Sequence, residues 1–173
     1  MIGVFGSAGF KLLISILLLI ELRPAIHAQY HIDSWTTDDG LPQNTVQAIT
    51  QTRDGYLWLA TNDGLARFDG LKFKVFDSMS TPGFCCDRLT TLYEDRDGNL
   101  WIGSDDSIVL QYRSGTFNVF RTFDVPGINT FTLQGTKDGE LLVSSPRGLL
   151  RGSPGSLKHV NTESDIYYLD ASI

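Results

Sequence analysis

From residue 45 onward the apolar positions come in short bursts separated by glycine and aspartate, with no stretch at the three-to-four spacing of an amphipathic helix. Thr45–Gln51 is anchored by Val46 and Ile49. It is followed by the turn signal Asp54-Gly55, the run Tyr56–Thr61, the turn Asn62-Asp63-Gly64, the run Leu65–Asp69, Gly70 and the run Phe73–Asp77. Each run has the length of a strand and each break carries residues that turn a chain. The pattern therefore predicts four consecutive strands joined by tight hairpins. At Asp54-Gly55 the expected connection is a two-residue type I′ turn, whose central residues both take positive φ.

The same unit recurs. Thr52-Arg53-Asp54-Gly55-Tyr56-Leu57-Trp58-Leu59-Ala60-Thr61 is answered by Asp95-Arg96-Asp97-Gly98-Asn99-Leu100-Trp101-Ile102-Gly103-Ser104. A third copy, Thr136–Ser145, keeps Asp138-Gly139 but has Leu142 in place of the tryptophan. The second copy predicts strands at Leu89–Tyr93, Leu100–Ser104, Val109–Tyr112 and Phe117–Phe120. The third predicts them at Phe131–Leu133, Leu141–Ser144, Leu149–Arg151 and, weakly, Leu157–Val160. A spacing of 41 to 43 residues between Asp-Gly pairs, filled with four short strands, is that of a propeller blade. The expected fold is all-β, a β-propeller of four-stranded blades: repeat 1 over 41–84, repeat 2 over 85–128, a degenerate repeat 3 over 129–164, and the start of a fourth at 165–173. Propellers close with about four to eight blades, so the ring is expected to be incomplete in this chain, with further blades in a longer parent. Tyr30–Trp35 stands before repeat 1 as Phe73–Asp77 stands before repeat 2. Residues 29–40 are accordingly read as a strand that completes the last blade and pins the circle shut. A tail lying over the surface is the competing reading.

The first 28 residues are of another kind. Leu12–Ile20 is an unbroken apolar run, Lys11 precedes it, and Pro24 and Ala25-Ile26-His27-Ala28 follow. The run is shorter than the roughly 20 residues of a membrane span and reads as a secretory signal peptide cut after Ala28. An uncleaved anchor is the alternative. The chain has 14 basic and 20 acidic side chains, a net charge of −6, and loses Lys11, Arg23 and Glu21 with the leader. With no cluster of lysine and arginine, nucleic acid is not an expected partner.

Asp54, Gly55, Trp58, Gly64, Asp97, Gly98, Trp101, Asp138 and Gly139 carry the repeat, and a structural role suits them best. Trp58 and Trp101 fall in mid-strand and are expected in the packing between blades; sugar-stacking platforms are the competing reading. Asp95-Arg96-Asp97-Gly98-Asn99 has carboxylates at alternate positions, as a calcium loop would, but Thr52 and Thr136 occupy the place of Asp95 in the other copies. Arg67 and Arg113 are weak candidates for an anionic ligand at the central opening. The vicinal Cys85-Cys86 cannot form an ordinary disulfide and reads as a pair of small apolar residues at a strand start, with a redox-active pair as the alternative. His27, His31 and His159 are isolated. No Ser-His-Asp set or metal-ligand cluster emerges, so neither catalytic residues nor a cofactor are assigned. A propeller lyase or hydrolase, and a pure protein-interaction platform, are the competing classes.

Gly40-Leu41-Pro42-Gln43-Asn44-Thr45-Val46-Gln47-Ala48-Ile49, with Arg53–Thr61 and Gly64–Gly70, resembles a two-component regulator propeller repeat. The resemblance extends over 30–173 and weakens in the third copy. It implies the periplasmic sensor region of a membrane-anchored bacterial signalling protein. Such a region stands ahead of an Ig-like linker, a transmembrane helix and a cytoplasmic histidine kinase, hybrid kinase or diguanylate cyclase. It further implies an extracytoplasmic ligand, with carbohydrate as one class, the remaining propeller blades as intramolecular partners, and room for a homodimer in the parent.

Overall fold

The computed structural model describes residues 32–121 and 132–160, except 147 and 154. The expected signal peptide at 1–28 and the start of a fourth repeat at 165–173 lie outside the described residues. Among those described, no helix is long and apolar enough to cross a membrane.

Among the described residues, twelve strands form three four-stranded antiparallel sheets, each a meander in chain order. The first holds β1 (Val46–Gln51), β2 (Leu57–Thr61), β3 (Gly64–Phe68) and β4 (Phe73–Phe76). The second holds β5 (Leu89–Glu94), β6 (Leu100–Ser104), β7 (Ile108–Arg113) and β8 (Thr116–Arg121). The third holds β9 (Thr132–Gly135), β10 (Leu141–Ser145), β11 (Gly148–Ser153) and β12 (Ser156–His159). These are the blades that the repeat predicts, with strand ends moved by one or two residues. β1 touches β5 and β5 touches β9, so the first strand of each blade is the inner one. The described strands do not close a ring.

Blade faces alternate as period-two strands require. In β6 all five residues are buried, because both faces of the middle blade are covered. Leu100 and Ile102 point toward the first blade and join Trp58, Ala60, Leu65 and Phe76 in one core. Trp101 and Val109 point the other way, into a second core with Leu133, Leu141, Val143 and Leu150. Each tryptophan thus packs on the blade that follows it. Trp58 is 1% exposed, stacked on Phe76 at 5.7 Å and tilted on Tyr112 at 4.9 Å. Trp101 is 2% exposed and lies 5.8 Å from Phe120. In the third blade Leu142 is partly buried at the same register position, across from Arg151.

Two local expectations need correcting. The Asp-Gly hairpins are not type I′ turns, since Asp54, Asp97 and Asp138 do not take positive φ; only Gly55, Gly98 and Gly139 do. In each, the glycine N–H bonds back to the carbonyl three residues earlier, and that earlier residue's N–H bonds to the carbonyl after the glycine. This is a type I turn closed by a left-handed glycine, the longer hairpin that also matches strand twist. Cys85 and Cys86, expected at a strand start, lie instead in the crossover from β4 to β5, ahead of Leu89.

Residues 32–36 form no strand, and Thr37–Asp39 is a turn of 3-10 helix. A strand exists only where a neighbour supplies ladder bonds, and none of the described strands pairs with this stretch. It is fixed by side chains instead. Thr36 and Asp39 make a capping box, Thr37 N donates to Asn44 Oδ1 at 2.8 Å, and Trp35 sits 5.1 Å from the Phe68 ring.

Candidate functional site

The hairpins joining the first two strands of each blade, at 52–55, 95–98 and 136–139, come together beside the inner strands. Their first residue organises each turn. Thr52 Oγ1 accepts from Trp58 Nε1 at 3.0 Å, and Thr136 Oγ1 accepts from the Glu140 N–H at 3.1 Å. Asp95 does more. Its carboxylate accepts from Trp101 Nε1 at 2.8 Å, from Asn99 Nδ2 at 2.7 Å, and from the N–H groups of Asn99 and Asp97 at 2.8 and 2.9 Å. Burial alone would raise this carboxyl, but the four donors outweigh it and hold it below the ordinary carboxylate value. The calcium reading of this loop thus gives way to a simpler one: Asp95 spends its lone pairs on the hairpin and on the indole. The signal was in the sequence, where a threonine or aspartate opens every Asp-Gly turn six residues ahead of the tryptophan position.

The next residue of each hairpin reaches across to the following blade. Arg53 Nη1 donates to the Arg96 carbonyl at 2.6 Å and Nη2 to the Asp95 carbonyl at 2.8 Å, while its own N–H donates to Glu94. Arg96 Nη1 donates to the Lys137 carbonyl at 2.9 Å. Arg53, Arg96 and Lys137 occupy one repeat position, so each arginine is tied to the backbone of its own counterpart in the next blade. Sequence reasoning passed over these arginines; their recurrence beside the Asp-Gly pair was the available clue.

Arg67 and Arg113 lie on the third strands of different blades. Arg67 is on β3, third strand from the centre, with its guanidinium 4.2 Å from the Tyr56 ring and 5.6 Å from that of Trp58. Arg113 ends β7 and is exposed on the second blade. In the third blade Arg151 holds the place of Arg67 and bonds Glu140 at 2.6 Å. Arg67 and Arg151 thus each engage side chains of their own blade.

Two concavities stand out. A cavity of about 40 Å³ lies between the second and third blades, bounded by Tyr93, Asp95, Trp101, Thr136 and Glu140. That is room for about one water molecule. A groove of about 450 Å³ opens between β4 and the β7–β8 hairpin, lined by Lys74, Phe76, Thr81, Pro82, Thr116 and Phe117. Its size suits a small-molecule ligand, and it offers hydroxyls and one ammonium group, the latter 5.0 Å over the Phe76 ring. Among the described residues no group of histidine, cysteine and carboxylate side chains is placed to hold a metal ion.

Comparison with known proteins gives this architecture its relatives. The family description "Two component regulator propeller" matches residues 40–63 and 83–106, which span the first hairpins of blades one and two. A curated relative, Histidine kinase P4 of Formosa agariphila, is 40% identical over 75 residues, 43% of this chain and 5% of that protein. Among solved structures, the extracellular domain of the hybrid two component system BT3049 from B. thetaiotaomicron is similar with a TM-score of 0.67 and 24% identity, over 79% of this chain and 21% of that one. The corresponding domain of BT4673 from the same organism gives 0.63 and 24%, over 76% and 18%. Virginiamycin B lyase from Staphylococcus aureus gives 0.56 and 16%, over 71% and 44%, a likeness of fold alone. The chain spans about a fifth of the two-component structures it matches and a twentieth of the curated kinase. The repeats, their hairpins and their inter-blade tryptophans agree with this likeness: residues 40–63 and 83–106 match the two-component regulator propeller description, and the described strands form three four-stranded blades of a β-propeller.

Proposed function

We propose that this chain is part of the periplasmic input region of a membrane-anchored bacterial signalling protein, a two-component sensor histidine kinase, and that it binds a ligand there without catalysing a reaction. The observation that carries the reading is the pair of matched repeats within a fold shared with extracellular domains of hybrid two-component systems. The leader-like first 28 residues agree with export. Carbohydrate is the ligand class we assign, and the groove beside Lys74, Thr81 and Thr116 is the first place to look for it. In the ring, residues 29–40 would complete the last blade.

Two measurements test this. Residues 1–28 fused to a reporter active only outside the cytoplasm should give activity that is lost when Leu12–Ile20 is deleted; activity retained without that run refutes export. In the parent protein, deletion of residues 41–121 should abolish the ligand-dependent transcriptional response while leaving autophosphorylation of the output domain measurable. An unchanged response refutes sensing by these blades.

A further inference from the structure

The crossover from β4 to β5 holds the only two cysteines of the sequence side by side. Their sulfurs are 3.3 Å apart, Cys85 exposed and Cys86 buried among the side chains between blades one and two. Both flanks of the pair are tied down. Phe84 packs edge-on against Phe117 at 5.0 Å, and its N–H bonds to the Thr81 carbonyl. On the other side, the Asp87 carbonyl accepts from the Gly64 N–H at 2.8 Å and its carboxylate accepts from the Ser78 hydroxyl at 2.6 Å.

We propose that Cys85 and Cys86 form a reversible dithiol–disulfide site whose oxidant is a low-molecular-weight disulfide. Geometry decides its character. Consecutive Cα atoms stand about 3.8 Å apart, closer than the roughly 4.4–6.8 Å of unstrained disulfides. A bond between the two sulfurs closes a strained ring, and strained disulfides are the readily reduced, regulatory kind and not the structural kind. Exposure makes Cys85 the sulfur that attacks. Hydrogen bonding with Cys85, and then burial, push the Cys86 thiol up, so Cys86 acts second.

The exchange balances. The Cys85 thiolate attacks one sulfur of the oxidant, breaking its S–S bond and expelling one thiolate. The Cys86 thiolate then attacks Cys85 Sγ, forming the Cys85–Cys86 bond and expelling the second. Two electrons pass from the protein to the oxidant, and the two thiol protons go to the two departing thiolates. Closing the sulfurs from 3.3 Å to about 2.05 Å draws Cys86 out of its seat between the blades, since Phe84 and Asp87 anchor the chain on either side. The redox state is thereby felt at the junction of the first two blades. Exposure to an oxidising compartment rests on the extracytoplasmic reading; the thiol chemistry does not.

The test treats the purified full chain with glutathione disulfide and reads intact mass, alkylation and hydrogen exchange. The wild type should lose two hydrogen atoms, protect both thiols from alkylation and recover on adding dithiothreitol. Cys86→Ser should stop with one glutathione attached to Cys85, and Cys85→Ser should react much more slowly. Amide exchange should rise on oxidation within 78–88 and at Asp105, whose N–H bonds to the Arg88 carbonyl. A wild type that keeps glutathione, crosslinks to a second chain or stays unreacted overturns the site. Exchange that is the same in both redox states overturns its link to the blade junction. None of these results depends on export, so they are separable from a failure of the sensor reading.

Discussion

Trp101 shows how one side chain serves two structures at once. Its rings fill the space between blades two and three, and its indole N–H closes the Asp95 hairpin. Trp101→Ala should cost about 3–5 kcal/mol, the scale for deleting a buried aromatic, measured by denaturant unfolding. A loss below about 1 kcal/mol would restore the sugar-platform reading. Asp95 makes a separate, pH-dependent contribution. Its carboxyl lies below the ordinary value in the folded chain, so its stabilisation is present above about pH 4 and is lost as the pH falls through the depressed folded value. Asp95→Asn should lower the melting temperature at neutral pH and flatten its decline below pH 4. Parallel declines in the two proteins would mean that the carboxylate has no such role. The tryptophan repeat was legible from residue spacing alone. Its hydrogen bond was signalled only by the threonine or aspartate six residues earlier, and that contact forms only once the hairpin folds back on the strand.

At the level of elements, hairpins that look alike in sequence are held by different constraints. Gly55 and Gly64 both have positive φ, at 92° and 116°, but their surroundings differ. A Cβ at Gly55 meets nothing within 4 Å, whereas at Gly64 it would fall 2.7 Å from the Phe76 carbonyl oxygen. Gly55→Ala should therefore cost only the left-handed conformation, about 1–2 kcal/mol, and Gly64→Ala clearly more, both by thermal unfolding. Equal costs would show that the β3–β4 backbone yields freely. The ladder from Arg53 to Arg96 to Lys137 links blades without burying them. Because Arg53 is largely exposed, Arg53→Ala should cost only about 1 kcal/mol. Asp-Gly pairs predicted the hairpins correctly but misjudged their type. Aspartate tolerates positive φ without requiring it, and a three-residue loop with one left-handed glycine satisfies the same ladder.

Across the whole molecule, equivalent positions differ in burial according to whether a blade stands beside them. Leu92, Leu100 and Ile102 of the second blade are 9%, 1% and 0% exposed against the first blade. Their counterparts Ile49, Leu57 and Leu59 belong to the first blade, where Ile49 is 62% exposed and the other two only partly buried. Such an apolar face invites association. In light scattering the 173-residue chain should self-associate, and Ile49→Glu should reduce that association without lowering the melting temperature. A wild type that stays monomeric would show the face to be adequately solvated.

By itself the sequence determined the all-β class, the four-stranded unit and its period, and it pointed to the tryptophans as packing residues, because strand alternation and turn chemistry act over a few residues. Tertiary structure alone decided that Arg53 and Arg96 bridge successive blades, that Arg67 rests on Tyr56, and that residues 32–36 pair with none of the described strands. It also decided that Cys85 and Cys86 lie in a crossover with one thiol in a core. Each of these depends on what a neighbouring blade or turn brings within a few ångströms. Contacts between residues some forty positions apart are set by how blades stack, which no local pattern encodes.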